Sequence, residues 1–125
     1  MKFLVTGGRG FIGSHLVSYL LDQGYDVVAL DNFSQGSETN LSFVDSHSNK
    51  DHYRFIQADI RSLKDCQLAC ENVDYVLHQA ALGSVPRSME EPVLYADNNI
   101  MGTLNMLMAA REHGVKRFVF ASISN

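Results

Sequence analysis

Apolar positions along this chain alternate between two rhythms. Short consecutive runs come at Phe3-Leu4-Val5, Val27-Val28-Ala29-Leu30, Val76-Leu77 and Phe118-Val119-Phe120. Between them the apolar residues recur every three or four positions, as in Leu16, Val17, Leu20 and Leu21. The first rhythm suits strands buried on both faces and the second suits helices with one buried stripe. The pattern predicts strands over 2–6, 26–30, 53–57, 74–79 and 117–121. It predicts helices over 11–23, 62–71 and 93–113. Gly24 and Gly114 follow two of these helices and predict their stops. Ser62 with Asp65 three residues on predicts a capped start for the middle helix. The stretch 32–51 is polar and predicts a loop with a short helix. In the last helix the stripe Leu94, Ile100, Leu104, Met106 and Leu107 is the expected core face.

Strict alternation of strand and helix implies parallel pairing through right-handed crossovers. The expected fold class is α/β, a doubly wound parallel sheet (Rossmann-like) in the order 3-2-1-4-5. Ligands bind such sheets outside the carboxyl ends of the strands, where the strand order reverses. That directs attention to the loops 7–13, 31–36, 58–61, 79–87 and 122–125. No internal repeat or low-complexity segment interrupts the pattern.

The first of these loops carries candidate chemistry. Gly7, Gly8, Gly10 and Gly13 stand between the first strand and the first helix. Gly8, Gly10 and Gly13 satisfy G-x-G-x-x-G, and Gly7, Gly10 and Gly13 give G-x-x-G-x-x-G. Glycines alone serve any tight turn. A strand before them and a helix after them let backbone N–H groups approach a pyrophosphate in the field of the helix N-terminus. Asp31 ends the second strand, 18 positions after Gly13. A carboxylate there accepts hydrogen bonds from ribose hydroxyls and repels a 2′-phosphate. No Lys or Arg lies between Asp31 and Asn49 to hold such a phosphate, so NAD is the expected cofactor rather than NADP. Arg9, inside the turn, is the contrary sign.

Composition narrows the classes without adding a site. The chain has 125 residues, enough for one core, and a net charge of −4. That charge, with no basic cluster, argues against a nucleic-acid surface. No apolar run approaches the roughly 20 residues that span a bilayer, and no signal-peptide pattern opens the chain. A cytoplasmic location is expected. Cys66 and Cys70 lie one helical turn apart and are expected as core or half-buried thiols rather than a disulfide. The histidines at 15, 47, 52, 78 and 113 show no metal-ligand spacing, so no metal is expected.

Other strand ends are open to two readings. Asp59 and Ile60 follow the third strand: Asp59 either accepts from an adenine amino group or caps a turn, and Ile60 packs on the ring. After the fourth strand, Gln79, Ala80 and Ala81 leave room for a cofactor ribose or simply for close packing. Arg87 meets a phosphate or carboxylate, or points to water. Asn98 and Asn99 are poor residues for a helix interior, so at least one is expected to have a polar partner.

The segments VTGGRGFIGSHL, ALDNFSQG, ADIRS, HQAALGSVPRSMEEP, ADNNIMGTLNML and KRFVFAS together resemble the N-terminal half of an extended short-chain dehydrogenase/reductase. Within that family the chain is most similar to NAD-dependent nucleotide-sugar 4-epimerases, above all those acting on UDP-N-acetylglucosamine. HQAALGSVPRS is the most specific segment. The resemblance implies that Gly7, Gly10, Phe11, Ile12 and Gly13 hold the pyrophosphate. It assigns Asp31, Asn32 and Ser34 to the adenosine ribose, and Asp59 and Ile60 to adenine. Gln79, Ala80 and Ala81 would line the cofactor groove, with Asn98 on the cofactor side. Ser84, Val85 and Arg87 fall where such enzymes begin to touch a UDP-sugar.

The departures bear on activity. The family's catalysis needs Y-x-x-x-K, and four residues after Tyr19, Tyr25, Tyr53, Tyr75 and Tyr95 stand Gln23, Ala29, Gln57, Gln79 and Asn99. The family's Ser or Thr after the fifth strand aligns with Ile123, which donates no hydrogen bond. The expectation is one incomplete cofactor domain over 1–125, with no substrate domain and no epimerisation unaided. The alternatives are the cofactor domain of a sugar-nucleotide dehydratase or reductase, disfavoured for dehydratases by Ser124-Asn125, and a non-catalytic module. An unpaired fifth strand would leave an apolar edge and invite a homodimer.

Overall fold

Five parallel strands form one sheet in the order β3-β2-β1-β4-β5. The computed structural model describes residues 1–7, 11–31, 43–79, 93 and 100–120, with Phe11 and Ile12 described by backbone alone. The elements are β1 (Lys2–Thr6), α1 (Phe11–Asp22), β2 (Asp26–Asp31), β3 (Tyr53–Gln57), α2 (Leu63–Ala69), β4 (Tyr75–His78), α3 (Gly102–Glu112) and β5 (Arg117–Phe120). The sheet order is the one the alternation predicts. The five strands lie within a residue of their expected bounds.

Residues of the central strands alternate between two cores. Val5, Val27 and Ala29 face α1, where Val17, Leu20 and Leu21 complete one cluster. Leu4, Val28, Leu30 and Val76 face α2 and α3 and join Cys66, Ala69, Met106 and Ala109 in the other. This period-two division lets a strand with no polar interruption be buried on both sides.

The helices stop where the glycines predict. At the end of α1, Gly24 has φ +82° and its N–H donates to Leu21 O, while Tyr25 N–H donates to Leu20 O. This pair of bonds is the Schellman arrangement. Gly114, with φ +66°, repeats it after α3, with bonds from Gly114 to Arg111 and from Val115 to Ala110. Ser62 caps α2 as expected, its hydroxyl accepting from Asp65 N–H. In a closed capping box the Asp65 carboxylate would return to Ser62 N–H. That donor already serves Asp59 O, and Asp65 instead accepts from Asp59 N–H at 3.4 Å.

Two expectations of burial are corrected. On α3 the buried residues are Gly102, Asn105, Met106, Ala109 and Ala110. Ile100, Leu104 and Leu107 are exposed, and among the described residues of the expected stripe only Met106 is core. Leu94 lies outside the described residues. Small side chains let the helix come close to α2 and to Ile60, and the large ones are turned away. On β5 the run Phe118-Val119-Phe120 is not buried on both faces: Val119 and Phe120 are about half exposed. β5 is an edge strand whose described pairing is to β4 alone.

Among the described residues of the polar stretch after β2, one 3-10 turn spans 43–46 and another Lys50–His52. Val44 enters the α1 core, Asn49 Nδ2 donates to Leu21 O, and His47 Nε2 donates to Asp22 Oδ1. His47 Nδ1 accepts from Asn49 N–H, which places the ring proton on Nε2. At the N-terminal ends of the strands, Asp74 joins three of them. Its carboxylate accepts from Lys2 N–H, its own N–H donates to Lys2 O, and its carbonyl accepts from Lys116 N–H. The Lys2 N–H bond and nearby Lys116 hold the Asp74 carboxyl below its usual range.

Candidate functional site

The carboxyl ends of β1, β2, β3 and β4 meet at one end of the molecule. Because each helix runs back against its strands, the N-terminus of the 12-residue α1 opens at that same end. Gly7 leaves β1 with φ +71°, a conformation costly for any residue with a Cβ, and its N–H donates to Leu30 O at 2.7 Å. Gly13 is buried within α1. Gly10 lies outside the described residues.

Asp31 is the last residue of β2 and is only 8% exposed. Its carbonyl accepts from Ala58 N–H at 3.1 Å, which ties the end of β2 to the turn after β3. In that turn the Asp59 carboxylate is engaged by Arg61. Arg61 N–H and Nε reach Oδ1, and Nε and Nη2 reach Oδ2. The turn-forming reading of Asp59 is therefore realised, with the side chain still part exposed at the rim. Ile60 is 3% exposed and packs in the core against α3. Only a sliver of its side chain is left for a ring.

At the end of β4, His78 stands opposite Thr6 in register. Its Nδ1 lies 2.7 Å from the Thr6 hydroxyl and its Nε2 lies 3.1 Å from the Thr103 hydroxyl on α3. A neutral imidazole offers one donor and one acceptor, and hydroxyls serve either role. Burial pushes the His78 imidazole down to about 4, so it is neutral near pH 7. Phe118 and Phe120 lie over its ring at centroid separations of 5.7 and 5.6 Å. Gln79 N–H donates to both the carbonyl and the hydroxyl oxygen of Thr6. The crossing of β1 and β4 is where the strand order reverses, so this polar network forms the floor of the expected binding crevice.

Among the expected site residues, the structure brings together Gly7, Gly13, Asp31, Asp59, Ile60 and Gln79 at this end. Asn32, Ser34, Ala80, Ala81, Ser84, Val85, Arg87, Asn98 and Asn99 lie outside the described residues, as does Ile123. The sequence patterns do not single out Thr6, His78, Thr103, Arg61 or Asn105. One signal is present: Thr6 and His78 are polar residues ending two apolar strands, and buried polar groups need partners. Elsewhere, Cys66 and Cys70 are free and buried, as expected. Among the described residues no helix is long and apolar enough to cross a membrane, and no three metal-ligating side chains cluster.

The family model of the NAD dependent epimerase/dehydratase family matches residues 3–124. This chain belongs to that family. A UDP-glucose 4-epimerase assigned in Methanocaldococcus jannaschii is 41% identical over 120 residues, 95% of this chain and 37% of the relative. Among solved structures, the Thermus thermophilus UDP-glucose 4-epimerase in complex with NAD is 41% identical, with a TM-score of 0.85 over 98% of this chain and 37% of the other. The Methanobrevibacter ruminantium UDP-N-acetylglucosamine 4-epimerase in complex with UDP-N-acetylmuramic acid is 39% identical, with a TM-score of 0.85 over 97% of this chain and 37% of the other. The chain spans about a third of the length of each of the three. The matched region is the N-terminal portion that the sequence patterns indicate.

Proposed function

We propose that this chain is the NAD-holding portion of a nucleotide-sugar 4-epimerase of the UDP-glucose or UDP-N-acetylglucosamine type. The observation that carries the reading is the buried Asp31 carboxylate ending β2 beside the left-handed Gly7 and the start of α1. That set suits a dinucleotide: backbone donors for a pyrophosphate and an acceptor for ribose hydroxyls. Gly7, Gly10, Phe11, Ile12 and Gly13 line the pyrophosphate. Asp31, Asn32 and Ser34 take the adenosine ribose, and Asp59 and Ile60 the adenine. Gln79, Ala80, Ala81 and Asn98 flank the rest of the cofactor. Ser84, Val85 and Arg87 meet the UDP-sugar.

Bound NAD would supply the hydride acceptor at the sugar C4. The sequence contains no Y-x-x-x-K, the pair that the family resemblance assigns as base for the C4 hydroxyl proton. The chain alone therefore binds cofactor without turnover. Free buried thiols at Cys66 and Cys70 suit a reducing, cytoplasmic setting. The exposed edge of β5 suits a homodimer.

Calorimetry on the full chain with NAD and NADP tests this. Saturable NAD binding with weaker NADP binding is the expected result. No NAD binding, tighter NADP binding, or unaided epimerisation of a UDP-sugar would overturn it.

A further inference from the structure

The turn after β3 is held by a helix distant in sequence. Asn105, 7% exposed on the buried face of α3, donates from Nδ2 to the carbonyls of Ile60 and Arg61 at 3.0 Å each. Three residues earlier, Gly102 lets the helix come down onto Ile60, since a Cβ there would overlap the Ile60 Cγ1 and Cδ1. A peptide unit is planar and trans. The Ile60 carbonyl and the Arg61 N–H therefore point in opposite directions from one rigid plane. Asn105 holds the carbonyl end of that plane at 3.0 Å, and the Cys66 thiol donates more weakly to the same oxygen at 3.3 Å. The N–H end donates to Asp59 Oδ1 at 2.9 Å, and the Arg61 guanidinium closes on both carboxylate oxygens at 2.6 to 3.1 Å.

We propose that Asn105 is a positioning residue for recognition of the adenine 6-amino group. It acts through the Ile60–Arg61 peptide plane and the Arg61 clamp to hold the Asp59 carboxylate in one orientation. The inference rests on the dinucleotide reading above. Without Asn105, the Ile60 carbonyl is left with the weaker Cys66 thiol donor and the Arg61 carbonyl loses the amide, so the plane can turn and the Arg61 N–H leaves Asp59. The carboxylate then samples several orientations, and only one suits the ring.

The test compares two dinucleotides on the full chain by calorimetry. One is NAD. The other is nicotinamide hypoxanthine dinucleotide, which carries an oxo group in place of the 6-amino group. The chain as given should prefer NAD by roughly tenfold to a hundredfold, the worth of one hydrogen bond to a charged acceptor. In Asn105→Leu that preference should fall to near unity, while the hypoxanthine dinucleotide binds within about threefold of its original affinity. A purely structural role would weaken both dinucleotides alike and keep their ratio, and that result overturns the proposal. Arg61→Ala, at a partly exposed position, breaks the last link without disturbing the core and serves if Asn105→Leu does not fold. It too must lower the ratio, and an unchanged ratio overturns the proposal. Equal binding of both dinucleotides by the unaltered chain would refute the Asn105 role alone. Binding of neither would remove the dinucleotide reading and the inference with it.

Discussion

The Thr6 hydroxyl lies 2.7 Å from Nδ1 of His78, across the two strands at which the sheet reverses its order. Burial keeps this titratable ring neutral in the floor of the crevice. The unfolded chain binds a proton on this ring near its ordinary value of 6.5, while burial delays that event in the folded chain to about 4. The unfolded state thus takes up the proton first, and stability falls as pH drops from 6.5 toward 4. The loss from this one residue is at most about 3 kcal/mol. Above pH 6.5 it contributes no slope. Urea midpoints at pH 7 and pH 4.5 should show the fall, and His78→Gln should reduce it. An equal fall in the variant would assign the slope to other groups. Asp74, held below its usual range, adds a loss of the same sign only as pH approaches the carboxylate range.

Gly102→Ala should destabilise the chain despite the better helix propensity of Ala. Its Cβ would enter the space of the Ile60 side chain, itself 3% exposed. Overpacking of this kind costs roughly 1–3 kcal/mol, against about 1 kcal/mol gained in propensity. Ile60→Ala removes both clashing atoms, Cγ1 and Cδ1, so the double variant should be more stable than the sum of the two single changes predicts. Denaturant melts of all four proteins measure that coupling. Strict additivity would mean that the two residues do not meet.

Neither cysteine should react in the native state. Burial pushes the Cys66 thiol up to about 12 and the Cys70 thiol up to about 11. The reactive thiolate is therefore scarce at pH 8. Ellman's reagent should titrate both thiols promptly in 6 M guanidinium and neither promptly in buffer. A rapid native equivalent would place one of them nearer the surface than its burial indicates.

The β5 edge should make the chain associate. Val119 and Phe120 are about half exposed on a strand whose described pairing is on one side. Such edges pair with one another unless charged or covered. Sedimentation at rising concentration should show association, and Val119→Lys should shift it toward monomer. A monomer across the whole range would count against edge pairing.

What the sequence makes legible here is mostly backbone. Glycine punctuation at Gly24 and Gly114, with the apolar runs between, locates the strands because burial on both faces and left-handed stops each demand particular residues. Side-chain networks are harder to read. Large apolar residues on α3 suggest a core face, yet the buried positions include Gly102, Ala109 and Ala110, where smallness rather than hydrophobicity sets the distance. Asp65 is legible as an N-terminal helix partner, but not that its carboxylate accepts from Asp59. Thr6 with His78, and Asn105 with Ile60, join residues 72 and 45 positions apart, which only the folded sheet brings together.

The knot of Lys2, Asp74 and Lys116 lies at the pole opposite the crevice, and Met1 emerges there with 60% of its surface exposed. A tag or tether joined at Met1 would hang from the blunt underside of the sheet. Immobilised by that end, the molecule would present its ligand-bearing rim to the solution, the orientation a surface-based cofactor sensor requires.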